Sequence, residues 1–253
     1  MSQASSESKI RIVPSRRERT RAATVAEIKQ LAWQQLAEVG APALSLRAIA
    51  TKMGMSSSAL YRYFTSRDEL LNSLVVDGFA SLADALEAAE ADPDHDPGAG
   101  GWLQLAAAHR RWALDHPTEY ALIYGTPVPG LESGSDECHL QMKRGVNVLF
   151  RCMMSGLGRG EFDAKAMEAT ISRGLRQRLE QWRAELGLDL PPAALAGCLF
   201  AWTQLHGAVS VELFGHLPMQ FQPADELFDQ QMRQVVAVLG ASKTAAKRLA
   251  LKT

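Results

Sequence analysis

Cysteine is scarce in this sequence. The chain of 253 residues contains three cysteines, Cys138, Cys152 and Cys198, and no two of them are close in sequence. Small secreted proteins that depend on disulfide bonds have more cysteines, in even numbers and at recurring spacings. The composition therefore excludes a disulfide framework and favours a protein of the reducing cytoplasm.

Long apolar runs are also absent. The N-terminal residues have no apolar core of the kind that a signal peptide or a membrane anchor needs. The most apolar long stretch, residues 195–214, is interrupted by Gln204, His206 and Glu212, so it predicts a buried helix and not a membrane span. We therefore expect no membrane contact.

Strand patterns and catalytic groupings are missing as well. No segment alternates apolar and polar residues in a sustained way, so the sequence predicts an all-α fold. It has no serine elbow, no His–Glu metal pair and no carboxylate dyad in place. His95 stands between Asp94 and Asp96 but has no second ligand group at helical spacing. We expect no catalytic residue, no metal and no cofactor.

The charge of the chain is balanced overall and uneven along its length. The formal net charge is −1, but residues 1–67 contain 11 basic and 4 acidic side chains, whereas the remainder contains 16 basic and 24 acidic ones. A basic segment on an acidic body is typical of a protein in which one part binds a polyanion such as nucleic acid. A solvated basic segment without a partner is the alternative at this point.

The basic segment contains the start and stop signals of four helices. Apolar residues recur at helical spacing over residues 25–39, and a glycine follows. Ser45 and Ser56 are good N-caps for two short amphipathic helices, and Gly54 between them permits a tight turn. The segment Ser66–Glu69 has the spacing of a capping box and predicts the start of a long fourth helix.

Two short helices joined by a glycine-containing turn are the pattern of a helix-turn-helix, whose second helix enters the major groove of DNA. The side chains predicted to face outward from the second helix are Ser57, Ser58, Tyr61 and Arg62. Hydroxyl groups can bind base edges or phosphates, and arginine can bind guanine through O6 and N7. Arg67, at the start of the fourth helix, adds a positive charge.

This stretch resembles the N-terminal signature of the tetracycline-repressor-like (TetR) family of transcriptional regulators. The resemblance is carried by Leu-Ser-Leu-Arg-Ala-Ile-Ala from Leu44, by Gly54, and by Leu-Tyr-Arg-Tyr-Phe-Thr-Ser-Arg-Asp-Glu-Leu-Leu from Leu60. It implies phosphate contacts by Ser45, Ser56, Tyr63 and Arg67, and base contacts by Ser57, Ser58, Tyr61 and Arg62. Arg67 stands where the family usually has lysine, which keeps the charge.

The acidic body shows a second resemblance. Six further helices are predicted at Trp102–Asp115, Glu119–Tyr124, Asp136–Met154, Ala164–Leu186, Pro192–Phe214 and Ala224–Leu239. The element Trp202-x-x-x-His206-Gly207 resembles that of one TetR C-terminal subgroup, in which this domain binds a small-molecule effector. The candidate effector-binding residues are Trp102, His109, Trp112, Tyr120, Tyr124, Trp202 and His206. An ordinary aromatic core is the alternative for these side chains.

The resemblance also implies a homodimer through the last two helices, both of which are apolar on more than one face. The side chains expected to form it are Leu195, Leu199, Leu227, Phe228, Val235 and Val238. The predicted organisation is a flexible basic arm (1–20), a DNA-binding domain (21–67), an effector-binding and dimerisation domain (68–241) and a flexible basic tail (242–253). The predicted function is a cytoplasmic regulator, by family precedent a repressor, that binds a double-stranded operator as a dimer.

Two other functions stay open on the sequence alone. One is an all-α enzyme that uses His206 or His109 as a base. The other is an architectural DNA-binding protein that has no effector.

Overall fold

A computed structural model of the chain describes residues 15–125, 135–163, 167–169, 171–186 and 190–240. Within these ranges ten α-helices and no strands occur, so the prediction of an all-α fold is confirmed. The helices are α1 (Arg16–Val39), α2 (Leu46–Lys52), α3 (Ser57–Leu60), α4 (Arg67–Glu90), α5 (Ala99–Asp115), α6 (Pro117–Tyr124), α7 (Asp136–Gly158), α8 (Arg173–Leu186), α9 (Pro192–Leu213) and α10 (Asp225–Val238).

The chain divides into two compact units, and the boundary between Leu74 and Val75 falls inside α4. The core of the N-terminal unit is formed by Ile28, Ala32, Leu36, Leu46, Ile49, Leu60, Phe64, Leu70, Leu71 and Leu74. These are the apolar positions that the helical spacing of α1 to α4 placed on one side, so the predicted periodicity is also the packing pattern.

Helix α1 begins at Arg16, earlier than the apolar spacing from residue 25 predicted. Ser15 is its N-cap. The Ser15 hydroxyl accepts from the backbone N–H of Glu18 (3.2 Å), and the Glu18 carboxylate accepts from the backbone N–H of Ser15 (2.7 Å). This capping box starts a polar helical turn that has no apolar face to reveal it. The last part of the predicted flexible arm is therefore helical, and the first fourteen residues of that arm lie outside the described residues, as does the predicted tail.

The predicted helix Ala164–Leu186 is not continuous. Ile171 and Ser172 are not helical, and α8 begins after them. The Ser172 hydroxyl accepts from the backbone N–H of Leu175 (3.3 Å), which is an N-cap interaction in the middle of the predicted helix. The apolar spacing continues across this cap, so periodicity alone did not show the break.

The C-terminal unit has its main core among α4, α5, α7, α9 and α10. Ion pairs join α4 to α7 along the surface of this core. Arg144 donates to Asp84 and Glu87 (2.6 Å each), and Arg151 donates to Glu90 (2.5 Å). These side chains are partly exposed to solvent, so the pairs align the helices more than they stabilise the fold.

Candidate DNA-reading surface and candidate effector site

Helices α2 and α3 are placed by caps at their N-termini and by the turn between them. The hydroxyls of Ser45 and Ser56 accept from the backbone N–H groups of Ala48 (3.3 Å) and Ala59 (3.2 Å), as the sequence predicted. Gly54 has φ +64°, a conformation that L side chains rarely adopt, and this makes the chain reversal after α2 possible.

A buried polar side chain that sequence reasoning missed helps to orient α2. Gln35 of α1 is 6% exposed, and its side-chain oxygen accepts from the backbone N–H of Ser45 (3.0 Å). The N-cap of α2 is thereby tied to α1. The signal in the sequence was a glutamine on the apolar face of α1.

The predicted DNA-contacting residues differ in exposure. Ser56, Ser58, Tyr61 and Arg62 are exposed, whereas Ser45, Ser57, Tyr63 and Arg67 are half-buried. Helix α3 ends at Leu60, so the residues that follow it continue in turns and not in a longer recognition helix. The exposed basic surface of the same helix pair also includes Arg47 and Lys52 on α2, which the sequence reasoning did not single out.

Arg67 and Tyr63 have partners inside the N-terminal unit. Nη2 of Arg67 donates to the carbonyl oxygen of Ala41 (2.6 Å), and Nη1 lies 3.5 Å from the Asp68 carboxylate. The guanidinium of Arg21 lies 5.0 Å from the centre of the Tyr63 ring, a cation–π distance. Both side chains therefore stabilise the local structure of the N-terminal unit.

The start of α4 departs from the predicted capping box in one detail. The Ser66 hydroxyl accepts from the backbone N–H of Glu69 (3.0 Å), as expected. The Glu69 carboxylate, however, accepts from the backbone N–H and the hydroxyl of Thr65 (2.6 Å each) and not from Ser66. These hydrogen bonds lower the pKa of Glu69.

Five of the seven candidate effector residues converge in the C-terminal unit. His109 of α5, Tyr120 and Tyr124 of α6, and Trp202 and His206 of α9 form what we call the aromatic cluster. The ring centres of Tyr124 and His206 are 4.1 Å apart, and the rings of Trp202 and His206, one helical turn apart, are stacked at 5.0 Å. Side chains of α5, α6 and α9 thus meet in one cluster.

Some polar atoms of the aromatic cluster have hydrogen-bond partners, and others have none among the described residues. The hydroxyl of Tyr120 lies 2.8 Å from the Ser210 hydroxyl and 3.3 Å from Nδ1 of His206. His109, in contrast, is fully buried, and neither of its ring nitrogens has a hydrogen-bond partner among the described residues. Burial, helped by the nearby His206 ring, lowers the pKa of His109 to about 3, and burial also lowers the pKa of His206. Both imidazoles are therefore neutral near pH 7.

The other two candidates lie outside the aromatic cluster. Trp102 is 1% exposed in the main core. Nε1 of Trp112 donates to the hydroxyl of Ser81 on α4 (3.0 Å), and its ring is stacked on His116 at 5.3 Å. No ring contact joins either tryptophan to the aromatic cluster within the described residues. Helical spacing places a residue on a face of its helix and does not fix which neighbour that face meets.

A charged clamp adjoins the aromatic cluster. The guanidinium of Arg110, the residue after His109, donates twice to the Glu212 carboxylate of α9 (2.7 Å each) and once to Asp225 of α10 (2.9 Å). It also lies 5.1 Å from the centre of the Phe228 ring. The acidic partners raise the pKa of Arg110. Sequence reasoning missed this clamp because its members are far apart in the chain.

The last two helices share a groove of about 430 Å³, lined by residues of both helices from Phe200 to Val238. Leu199 (37% exposed), Val211 (40%) and Val238 (63%) are exposed apolar side chains of these helices. Leu195, Phe228 and Val235, which were expected at the dimer contact, are largely buried within one chain, although Phe228 and Val235 also line the groove. Helical periodicity did not separate the inner face of these helices from the outer one.

Helix α9 is long and apolar enough to cross a membrane by length and composition, but 39% of its most apolar window is buried inside the unit. One side of this helix therefore belongs to the core. Its opposite side borders the groove with α10.

Known proteins resemble this chain over both units. A family model described as "Bacterial regulatory proteins, tetR family" matches residues 28–74, and one described as "Tetracyclin repressor-like, C-terminal domain" matches residues 102–235. Curated proteins of Mycobacterium bovis and Mycobacterium tuberculosis, both named HTH-type transcriptional regulators, are 37% identical over 216 residues, which is 85% of this chain and 91% of theirs.

Solved structures give the same result. A crystal structure described as that of a regulatory protein, SCO4313, is 36% identical, covers 89% of this chain and all of its own, and has a TM-score of 0.71. A TetR-family regulatory protein from Rhodococcus RHA1, with 16% identity, 87% and 98% coverage and a TM-score of 0.59, shows likeness of fold alone. The predictions of a helix-turn-helix regulator and of a non-enzyme are confirmed, and this chain belongs to the TetR family of transcriptional regulators.

Proposed function

We propose that this regulator binds a pseudo-palindromic operator as a homodimer in the cytoplasm, represses transcription there, and is released by a small apolar or amphipathic effector. Residues 21–67 act as the DNA-binding domain, and residues 68–241 bind the effector and form the dimer. The observation that carries the proposal is the exposed set of hydroxyl and basic side chains on a capped helix-turn-helix pair.

The DNA-reading role rests on exposure and chemistry together. Tyr61 is 48% exposed although it is aromatic, and Arg62 beside it is exposed. An arginine in this place can bind guanine, and a tyrosine hydroxyl can bind a phosphate. Arg67 and Tyr63, which are engaged in internal contacts, are proposed to contact phosphates only through the atoms that those contacts leave free.

The dimer rests on the outer face of α9 and α10, where the apolar side chains Val211, Leu227 and Val238 line the groove together with polar ones such as Gln204 and Gln231. Exposed apolar side chains gathered in one patch favour burial against a partner. The core covers one side of α9, and the groove beside α10 exposes the other. A second copy of the same face would cover it, and a dimer would place two reading heads about one helical turn of DNA apart or a multiple of it.

The switch rests on a ring contact between the aromatic cluster and α4. The ring of Phe79 on α4 meets the ring of Tyr124 edge to face, with centres 5.7 Å apart. An effector that enters the aromatic cluster displaces the ring of Tyr124. This changes the contact of Tyr124 with Phe79 and therefore the packing of α4. The effector weakens operator binding only if it prefers the conformation that does not bind DNA.

The DNA-reading proposal is tested by selecting an operator from random duplexes and measuring binding by fluorescence anisotropy. Arg62→Ala should weaken specific binding by about 1–3 kcal/mol if the guanidinium binds a guanine, and Tyr61→Ala should weaken it as well. Arg178→Ala, an exposed arginine on α8, is the matched control and should bind as wild type. Wild-type operator affinity in both N-terminal variants would refute the assignment of the reading surface.

The switch is tested by screening apolar metabolites and drugs for operator release. A coupling of about 1–3 kcal/mol corresponds to roughly 5–150-fold weaker operator binding. Trp202→Ala and His206→Ala should raise the effector concentration needed for release, because both side chains wall the aromatic cluster. If both variants are released at the wild-type concentration, the effector binds elsewhere.

A further inference from the structure

The aromatic cluster contains a polar group that the protein itself does not satisfy. His109 is fully buried, and both of its ring nitrogens are without a hydrogen-bond partner among the described residues. A neutral imidazole has one N–H donor and one acceptor nitrogen. Buried polar groups in folded proteins are almost always paired, so two unpaired atoms on one ring point to a bound partner.

The surroundings of His109 are aromatic on several sides. The ring centres of Tyr120, Trp202 and His206 lie 6.2, 6.1 and 6.3 Å away, all in steep edge-to-face arrangements. Tyr124 lies 6.5 Å away. Such walls favour flat ligands, which gain stacked or edge-to-face contacts with the rings.

The same site carries no formal charge. Its rings are phenols, an indole and two imidazoles, and burial keeps the pKa of His109 near 3 and lowers that of His206. The guanidinium next in sequence, on Arg110, is engaged with Glu212 and Asp225. An anionic ligand would therefore lose its hydration and meet no cation. A quaternary ammonium could lie on the ring faces but would satisfy neither nitrogen of His109.

We propose that the aromatic cluster binds a flat, uncharged ligand that carries an amide, carbonyl or hydroxyl group, and that His109 selects this class by hydrogen bonding to that group. The inference rests on the proposed effector site and specifies its chemistry. His109 can offer either its N–H or its lone pair, so it accepts a donor or an acceptor on the ligand but not a full charge.

Entry of the ligand requires the rings to separate. Tyr124, Trp202 and His206 are half-buried and form the outer wall, and the Tyr124 and His206 rings are in contact at 4.1 Å. A ligand that reaches His109 must part this pair. Ligand selection by His109 and displacement of Tyr124 are then one event.

The test uses three probes of nearly equal shape: benzamide (uncharged), benzoate (anionic) and benzylamine (cationic at neutral pH). Binding to the purified full chain is measured by ligand-observed NMR and calorimetry. Benzamide should bind at least about tenfold more tightly than either ion, because an unpaired charge is costly to bury. Equal or tighter binding of benzoate or benzylamine would overturn the proposal, and so would the failure of benzamide to bind at millimolar concentrations.

Two variants separate selection by His109 from simple packing. His109→Phe keeps a ring and removes both nitrogens, so it should abolish the preference for benzamide. His109→Gln restores an uncharged donor and acceptor and should recover it, with circular dichroism as the check on folding. A preference that survives in His109→Phe would overturn the role of His109. Operator binding is measured separately, so the loss of the ligand class would leave the proposed DNA-binding function standing. If His109→Phe does not fold, the wild-type series still decides the ligand class.

Discussion

The buried neutral imidazole of His109 makes the stability of the C-terminal unit depend on pH. The pKa of His109 is lowered to about 3 in the folded chain, mainly by burial and in part by His206. In the unfolded chain a histidine has a pKa of about 6.5. Between these two values the unfolded chain binds a proton that the folded chain does not. Stability is therefore complete above about pH 6.5 and falls as the pH falls towards 3.

The size of this effect follows from the difference between the two pKa values. Each pH unit inside the window costs up to about 1.4 kcal/mol, so lowering the pH from 7 to 5 should remove about 2 kcal/mol of the free energy of unfolding through His109 alone. His206, whose pKa burial also lowers, adds to the slope in the same direction. The wild-type slope therefore contains both contributions, and a variant is needed to separate them.

The measurement is urea unfolding at pH 7, 6 and 5, followed by tryptophan fluorescence. His109→Phe removes the titrating ring. Between pH 7 and 5 its free energy of unfolding should therefore fall by about 2 kcal/mol less than that of wild type. His139→Gln, which removes an exposed imidazole on α7, is the matched control and should keep the wild-type slope. The reasoning fails if His109→Phe and wild type lose stability in parallel, because His109 would then be protonated or solvated in the folded chain.

Two further predictions concern the Arg110 clamp and the exposed face of α9 and α10. Arg110→Met should lower the free energy of unfolding by about 3 kcal/mol, because it leaves the largely buried Glu212 carboxylate unpaired. In thermal melts, the double variant with Glu212→Leu should recover most of this loss. Replacing Leu199 and Val238 by aspartate should yield folded monomers in light scattering, because both side chains are exposed in one chain and would carry charge into a dimer contact. A dimer that survives both aspartates would place the contact elsewhere.

Local signals in the sequence were enough to predict the helix-turn-helix. The hydroxyls of Ser45 and Ser56 cap the helices that follow them, and Gly54 has the positive φ that its turn requires. Each of these features depends on residues within one or two helical turns. Caps and turns are read correctly from sequence because the atoms that form them are neighbours in the chain.

Contacts between residues that are distant in the chain could not be predicted from the sequence. The bond from Arg67 to Ala41 spans 26 positions, and the pair between Arg110 and Glu212 spans 102. Spacing assigned Val235 to an apolar face correctly but did not tell whether core or solvent lies against that face. The resemblance, and not helical spacing, singled out the five residues that meet in the aromatic cluster, together with two tryptophans that lie outside it.

Neighbouring residues on α5 join the aromatic cluster to the outer face of α9 and α10. His109 faces the rings of the cluster, and the next side chain, Arg110, holds Glu212, which borders the groove between those helices. Adjacent residues of a helix move together, because its backbone hydrogen bonds fix their relative positions. A ligand that shifts the backbone at His109 would also strain or shift the Arg110 clamp. The proposed ligand site and the face proposed to hold the second copy are therefore connected through two consecutive residues.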